Sequence, residues 1–227
     1  MQVIAWISLS VAFVCAVVIA ADEVRRPQKM MVMNIVWPVT ALYLSVFALW
    51  AYSTIGVNKS KPAMRMKGGS GKNDDQESPP TLAQTAVAAT HCGAGCVLAD
   101  IAVEFMVAGL GLTILGLSLW ASFVYDFIGA WMLGIAFQYF SIQPMRHPPP
   151  GKAMVAAIKA DTLSILAFQA GMYAFMALNF FVLAPRPRPD AFDPRYWLMM
   201  QIAMIIGYAT SLPMNWWLLR RGLKEKM

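Results

Sequence analysis

The stretch from Thr81 to Met145, TLAQTAVAATHCGAGCVLADIAVEFMVAGLGLTILGLSLWASFVYDFIGAWMLGIAFQYFSIQPM, decides the fold because it contains no lysine or arginine. As one helix it would be ~100 Å long, about three times the ~30 Å hydrocarbon thickness of a bilayer. The stretch therefore predicts two membrane-spanning helices, at about 83–115 and 118–145. The turn between them is expected at one of three glycines, Gly109, Gly111 or Gly116.

The rest of the chain has the same character. Of its 227 residues 59% are hydrophobic and only 13% are charged, whereas soluble domains are about 45–50% apolar and about 25% charged. Four further apolar runs are long enough to span a bilayer, at 3–21, 31–57, 153–183 and 196–219. The sequence thus predicts an all-α, polytopic transmembrane helical bundle of about six spans, in which Pro38 kinks the second helix.

Composition divides the chain into three parts. Residues 1–57 are predicted to form two N-terminal transmembrane helices. Residues 58–82 are rich in Lys, Gly, Ser, Asp and Pro and lack apolar periodicity, which is typical of a flexible polar loop. Residues 83–227 are predicted to form a four-helix transmembrane module that contains the motif His-Cys-Gly-Ala-Gly-Cys.

The positive charges indicate how the bundle is oriented. The net charge is +6, and cytoplasmic loops of membrane proteins carry an excess of Lys and Arg. With six spans, twelve of these residues lie on the side that holds both termini and six on the other side. We therefore expect a multi-pass protein of the inner (plasma) membrane with both termini cytoplasmic. Lipid is the expected partner, a homo-oligomer or a membrane-complex partner is open, and no basic-aromatic pattern indicates nucleic acid.

The third predicted span carries polar side chains at a regular interval. Cys92, Cys96, Asp100 and Glu104 recur every four residues. Each step of four drifts by only ~40° around an α-helix. The first three therefore share one face, and Glu104 begins to leave it. His91 precedes the series, and its imidazole points about 100° away from Cys92.

The motif suggests two uses of this helix. Two thiols and an imidazole suit Cu(I), Zn or an iron centre, so His91, Cys92 and Cys96 are candidate ligands of copper or another thiophilic metal. Gly93 and Gly95 lack side chains and would let another helix or a ligand approach the backbone. The alternative is that the small residues of the motif only pack helices together, and the spacing matches no strong metal signature.

Ionisable residues inside apolar runs form the second cluster of interest. Asp100, Glu104, Asp126 and Asp161 lie within predicted spans, and Lys159 lies at the entrance to one. Such groups are costly in hydrocarbon and usually face the bundle interior or a water-filled cavity. Since the third and fifth spans enter from the same side, Asp161 is expected at the depth of the cysteine motif. These residues predict a cation or proton path; the alternative is a set of structural hydrogen bonds.

Four segments carry a resemblance to a known family. They are His91–Glu104, Ala136–Phe140, Lys159–Asp161 and Pro213–Gly222. Together they resemble a bacterial membrane-protein family catalogued as a domain of unknown function, over roughly residues 85–225. The resemblance implies a multi-span helical fold and no established activity, substrate or cofactor.

The sequence leaves several functions open. The first is a membrane protein that binds and transports a thiophilic metal ion, with copper preferred. The alternatives are a proton-coupled transporter or channel for another small solute, and a structural or assembly subunit of a membrane complex. No nucleophile elbow, Walker loop, HExxH or dinucleotide fingerprint occurs, so an enzyme is not expected; a thiol-redox activity of the two cysteines is a weaker alternative.

Overall fold

A computed structural model describes residues 1–28, 30–57, 79–146, 149–184 and 188–224 of the chain. The polar loop predicted over 58–82 lies largely outside these residues. The all-α prediction is confirmed, and the helices follow in chain order. They are α1 (Gln2–Arg25), α2 (Met33–Leu44), α3 (Val46–Ala51, continued by the π-helical turn Tyr52–Gly56), α4 (Leu82–Leu110), α5 (Ser118–Arg146), α6 (Pro150–Leu178, continued by the π-helical turn Asn179–Leu183) and α7 (Pro194–Arg220).

Five helices of the described chain are long and apolar enough to cross a membrane: α1, α4, α5, α6 and α7. The chain is therefore a multi-pass membrane protein. Local sequence sets several of the helix ends. Thr81 caps α4 through a reciprocal pair of hydrogen bonds with Gln84, as a capping box does. The Asp193 side chain caps α7, which begins at Pro194.

The turn between α4 and α5 runs over residues 111–117. Gly111 ends α4 in the left-handed conformation, with φ of 62°, and Gly116 has φ of 77°. Glycine adopts these angles without the steric penalty that a side chain brings. Gly109, the third glycine proposed for the turn, still belongs to α4.

The second predicted span is a helical hairpin rather than one helix. The rings of Trp37 in α2 and Tyr52 after α3 lie 5.6 Å apart, centroid to centroid. In a continuous helix these residues would be ~22 Å apart along the axis. The chain reverses at Ser45, which has φ of 47° and ψ of −119°. Pro38 lies inside α2 and does not end it.

The hairpin enters the bundle from one end and leaves by the same end. Near its exit, the Tyr52 hydroxyl donates to Asp22 Oδ2 near the end of α1, at 2.9 Å. Near its tip, Leu42 O accepts a hydrogen bond from Gln201 Nε2 of α7 at 2.7 Å, and Gln201 Oε1 accepts one from Ser8 near the start of α1. The hairpin therefore does not cross the bundle.

The two ends of the bundle are named here after the residues that mark them. At the Met1 end, Met1 lines a cavity together with Ser118 and Pro189. At the Lys224 end, Lys224 Nζ donates to Ala88 O in the first turns of α4. Helices α1, α5 and α7 run from the Met1 end to the Lys224 end, and α4 and α6 run the opposite way. The expectation that both termini share one side assumed six crossings; with the hairpin in place of one crossing, residues 1 and 224 lie at opposite ends.

Helix α4 is the central helix of the bundle. It packs against α2, α5, α6 and α7, and nearly every side chain between residues 85 and 100 is buried. Helix α1 is at the periphery and exposes most of its apolar side chains. The motif, Asp100 and Glu104 therefore lie on the most buried of the long helices that the structure describes.

Candidate functional site

The two motif glycines allow other elements to approach α4 closely. A Cβ atom at Gly95 would lie 3.3 Å from the backbone N of Gly134, so α4 and α5 pack backbone to backbone there. A Cβ atom at Gly93 would lie 2.6 Å from the hydroxyl oxygen of Tyr43, at the tip of the α2–α3 hairpin. Both glycines thus have the close neighbours that a packing role requires, and Tyr43 reaches the motif from outside the predicted four-helix module.

Cys92 is the centre of a buried polar cluster on α4, α6 and α7. Its thiol donates to Asp161 Oδ1 at 2.8 Å. Ser164 Oγ lies 3.0 Å from the same sulfur and 2.9 Å from Asn215 Oδ1, two acceptors for its hydroxyl proton. The Asn215 amide in turn donates to Ser211 O at 2.9 Å. The structure thus brings Cys92 and Asp161 together at one depth.

Lys224 completes this cluster from the C-terminal tail. Its Nζ lies 2.9 Å from Cys92 Sγ, 2.8 Å from Asn215 Oδ1 and 3.0 Å from Ala88 O. An ammonium group has three N–H donors and no acceptor, so each donor has a partner here. Lys224 is only 3% exposed, although lysine is almost never buried unless it is paired.

The turn after α7 directs Lys224 into the bundle. Gly222 has φ of 66°, and the amide of Leu223 donates to Leu218 O at 3.0 Å. A left-handed glycine with a bond of this span is the Schellman arrangement that ends many helices. The sequence analysis assigned no role to Lys224. The signal was Gly222, since a glycine just after an apolar helix predicts such a reversal.

Asp161 fits into the bundle because α5 has a glycine opposite it. A Cβ atom at Gly134 would collide with Asp161 Oδ2 and would lie 2.5 Å from Ile165 Cδ1. Oδ2 has no hydrogen-bond partner among the described residues, while Oδ1 accepts from Cys92. Half of this buried carboxyl group is therefore available to a further donor.

The predicted metal triad does not converge. The imidazole of His91 packs edge to face on Phe137 of α5, with 5.9 Å between ring centroids. Cys96 Sγ faces Gln169 Nε2 of α6 at 4.0 Å, and Cys92 faces Asp161. No group of three or more His, Cys, Asp or Glu side chains within the described segments is arranged to hold a metal ion. The reason is the ~100° per residue of the α-helix, which points His91 and Cys92 at different helices.

A second buried cluster lies towards the Met1 end. Glu104 Oε2 accepts a hydrogen bond from Ser122 at 2.9 Å, and the Glu104 carboxyl group also lies beside Tyr196 and Asp126. Two neighbouring carboxyl groups hydrogen-bond each other only when one of them carries a proton, because ionised carboxylates only accept. Both carboxyl oxygens of Asp100, one α4 turn away, are buried and have no hydrogen-bond partner in the described chain.

A cavity of about 470 Å³ connects this second cluster to the Met1 end. Glu104 and Ser122 line its inner part, and Arg188 and Arg195 line its mouth. At the mouth a hydrogen bond from Arg195 lowers the pKa of the Asp193 carboxyl group below its ordinary value, so this pair stays ionised near neutral pH. Through this cavity the buried carboxyl group of Glu104 has a route to the Met1 end of the bundle.

Lys159 is the one predicted path residue that lies elsewhere. Its side chain is exposed on the outer surface of α6, whereas Asp161, two residues later, points inward. Residues two apart on a helix face directions about 200° apart. Lys159 therefore does not face the buried carboxyl groups, and Lys224 is the lysine that contacts the cysteine cluster.

Comparison with known families adds one finding. Residues 81–224 match the family model DUF4396, a domain of unknown function. The chain belongs to this family. The matched segment starts at the cap of α4 and ends at Lys224, so the DUF4396 segment contains both polar clusters, while α1 and the hairpin precede it. No curated protein and no solved structure matches the chain in the corresponding searches.

Proposed function

We propose that this DUF4396 protein moves protons across the membrane along α4, as a proton-coupled transporter or channel. The observation that carries the proposal is the line of polar groups inside the bundle. It begins at Cys92 and Asp161, continues past Cys96 and Asp100, and ends at Glu104 in the cavity of the Met1 end.

The dimensions of this line suit a membrane path. From Cys92 to Glu104 the helix rises ~18 Å, more than half of the ~30 Å hydrocarbon thickness. The cavity continues the route from Glu104 to the Met1 end. Successive members are ~6 Å apart along the axis, a separation that one bridging water spans. Intramembrane carboxyl groups in such series are typical of proton relays.

The carboxyl groups of this line favour protons over larger solutes as the transported species. The carboxyl groups of Glu104 and Asp126 lie beside each other, and such a pair can hold a proton between them in a hydrogen bond. Asp100 lies within electrostatic range of both, and its oxygens lack partners in the described part. A group of this kind can accept a proton from the pair and pass it inward. Between Glu104 and the cysteine cluster, the side chains of Cys96 and Asp100 are fully buried within the described structure, which favours protons over a large solute.

The charges of the chain support one orientation. Each Lys and Arg residue can be assigned to one end of the bundle from the helix ends that flank it in the chain. On this basis, fifteen of the eighteen belong to the Lys224 end. The three others are Arg186, Arg188 and Arg195. Cytoplasmic loops carry such an excess. We infer that the protein lies in the plasma (inner) membrane with the Lys224 end in the cytoplasm. In this orientation the cavity opens on the opposite side, and residue 224 but not residue 1 lies on the cytoplasmic side.

The deciding experiment measures proton flux in liposomes. Purified protein is reconstituted with a trapped pH-sensitive dye, and a potassium gradient with valinomycin sets the membrane potential. We expect acidification above that of protein-free liposomes, and Glu104→Gln should reduce it to the protein-free level. Glu23→Gln is the matched control, because Glu23 is also buried but lies on α1, away from the line. Equal flux in wild type and Glu104→Gln would end the proposal.

The orientation has its own test. Single cysteines placed at Thr113 in the α4–α5 turn and at Gly151 near the start of α6 are labelled in intact cells with a membrane-impermeant maleimide, in a background that lacks the native cysteines. We expect labelling of the first position only, because the first lies at the Met1 end and the second at the Lys224 end. The reverse pattern contradicts the inferred orientation.

A further inference from the structure

We propose that the cage around Lys224 Nζ is a binding site for a monovalent cation of the ammonium class, in which the C-terminal tail supplies the cation in this conformation. The cage consists of Ala88 O, Cys92 Sγ and Asn215 Oδ1. This inference extends the proposed function, because it names the cation that meets the polar line at the Lys224 end.

The geometry of the cage fits an ammonium group. The two oxygen acceptors lie 2.8 and 3.0 Å from the nitrogen, in the usual range for N–H donors to oxygen, and Cys92 Sγ lies 2.9 Å from it. The three acceptors come from two different helices, α4 and α7. An ion at the position of this nitrogen would be too far from the acceptors to be Mg²⁺, whose ligands lie at 2.0–2.1 Å, or Ca²⁺, whose ligands lie at 2.3–2.6 Å. A monovalent cation with N–H donors can donate hydrogen bonds to all three acceptors, which are a backbone carbonyl, an amide carbonyl and a sulfur.

The charge of the site also selects a cation. Asp161 accepts a hydrogen bond from the thiol of Cys92, which is itself a member of the cage. The Asp161 carboxyl group is thus one side chain away from the bound nitrogen and is fully buried. The ammonium charge of Lys224 is buried as well, and a buried charge is stable only when it is paired or well hydrogen-bonded. If Lys224 leaves, the three acceptors lose their donors, and a free cation with N–H donors can take its place.

The tail that carries Lys224 is held by few contacts. Beyond α7 the amides of Leu223 and Lys224 both donate to Leu218 O, at 3.0 and 3.4 Å, and Leu223 is 42% exposed. The cage lies near the cytoplasmic end of the proposed orientation. Lys224 is therefore a tethered ligand that competes with free cations for the same three acceptors, and its departure opens the polar line.

Alkylation of Cys92 provides a test that does not depend on proton flux. Cys15 and Cys96 are replaced by alanine, and the rate of modification of Cys92 by N-ethylmaleimide is followed by mass spectrometry. Wild-type Lys224 should protect Cys92, and Lys224→Ala should raise the rate at least about tenfold, since thiol reactivity depends on access. Arg221→Ala is the control, because Arg221 is an exposed cation of the same tail that stacks on Trp217.

Two cations then decide whether the cage binds ammonium. In Lys224→Ala, ammonium chloride should restore protection of Cys92, while N-methyl-D-glucamine chloride at the same ionic strength and pH should not. Equal rates in the two salts, or no acceleration by Lys224→Ala, would overturn the proposal. If ammonium protects Cys92 while Glu104→Gln leaves proton flux unchanged, the cation site stands and the proposed function fails. If ammonium does not protect Cys92 while Glu104→Gln abolishes proton flux, the proposed function stands and the cation site fails.

A measurement on the unmodified protein covers the case in which Lys224→Ala does not fold. Deuterium uptake of the peptide that contains Leu223 and Lys224 is compared in the same two salts. Ammonium that occupies the cage displaces the tail and should increase this uptake, whereas uptake of a peptide from the middle of α4 should not change. Identical uptake of the tail peptide in both salts contradicts the inference.

Discussion

Replacement of Gly134 by alanine should destabilise the bundle at the Cys92–Asp161 contact. The added methyl group would collide with Asp161 Oδ2 and would lie 2.5 Å from Ile165 Cδ1. Both contacts are with α6, whereas Gly134 belongs to α5. Either the Asp161 side chain moves away from Cys92 or the two helices separate.

The size of the effect follows from these contacts. Overpacking by one methyl group in a filled core costs about 1–3 kcal/mol. Displacement of Asp161 would also lose its hydrogen bond from Cys92 and cost about 0.5–1.5 kcal/mol more. The higher helix propensity of alanine returns only about 0.5–1 kcal/mol. We therefore expect Gly134→Ala to lower the free energy of unfolding by about 1–3 kcal/mol.

The three cysteines of the chain make a convenient assay, because all of them are buried and free. A thiol-reactive fluorophore reports unfolding in detergent as temperature or dodecyl sulfate is increased. Gly109→Ala is the matched control, since a Cβ atom there meets nothing within 4 Å, and it should be neutral or slightly stabilising. If Gly134→Ala unfolds at the wild-type midpoint or above it, the account of the α5–α6 contact is incorrect.

Three further substitutions test the hairpin and the tail. Gly93→Ala should destabilise the protein by about 1–3 kcal/mol, since the new methyl group meets Tyr43 Oη at 2.6 Å, and Tyr43→Phe in the same chain should recover part of the loss in the same thermal assay. Ser45→Gly should raise the unfolding midpoint, because Ser45 has a positive φ that costs a side-chain-bearing residue about 1–3 kcal/mol. Gly222→Val should increase deuterium uptake around Lys224, since valine at φ of 66° strains the turn that buries this lysine.

Much of the bundle follows from periodicity and composition. The runs that became α1, α4, α5, α6 and α7 are long and apolar, and each is bounded by charges, prolines or glycines. The parallel course of α4 and α6 was enough to expect Asp161 near the cysteine motif. Spacing by four residues likewise predicts that Cys92, Cys96 and Asp100 face the interior, because a central helix buries that face.

The hairpin could not be predicted from its own residues. The run 31–57 is predominantly apolar and contains no charged residue, and its one proline, Pro38, lies inside α2. The reversal occurs at Ser45, where the local sequence contains neither glycine nor proline. Packing of Trp37 on Tyr52 and of Tyr43 against Gly93 holds the reversal in place. These are tertiary contacts, and they override the preference of an apolar run for one continuous span.

The set of residues that surrounds Cys92 could not be predicted from the sequence either. Helix geometry alone separates His91 from Cys92, but it does not say which helix each one faces. Lys224 lies 132 residues from Cys92 in the chain, and nothing in a basic tail shows that one of its lysines is buried. A chain reversal at Gly222 was predictable; the direction of the reversed tail depends on how α7 packs against α4.

The helical hairpin also affects how the chain inserts into the membrane during synthesis. Because α2 and α3 return to the end from which they entered, the long segment 58–78 joins two elements that both begin at the Lys224 end. In the proposed orientation both of these elements begin on the cytoplasmic side, where the ribosome produces the chain. Of the connections between the described helices, those at 111–117 and 184–193 are carried across the bilayer in this orientation, and both are short. Translocation of a long, charged stretch is therefore never required between the first helix and the last.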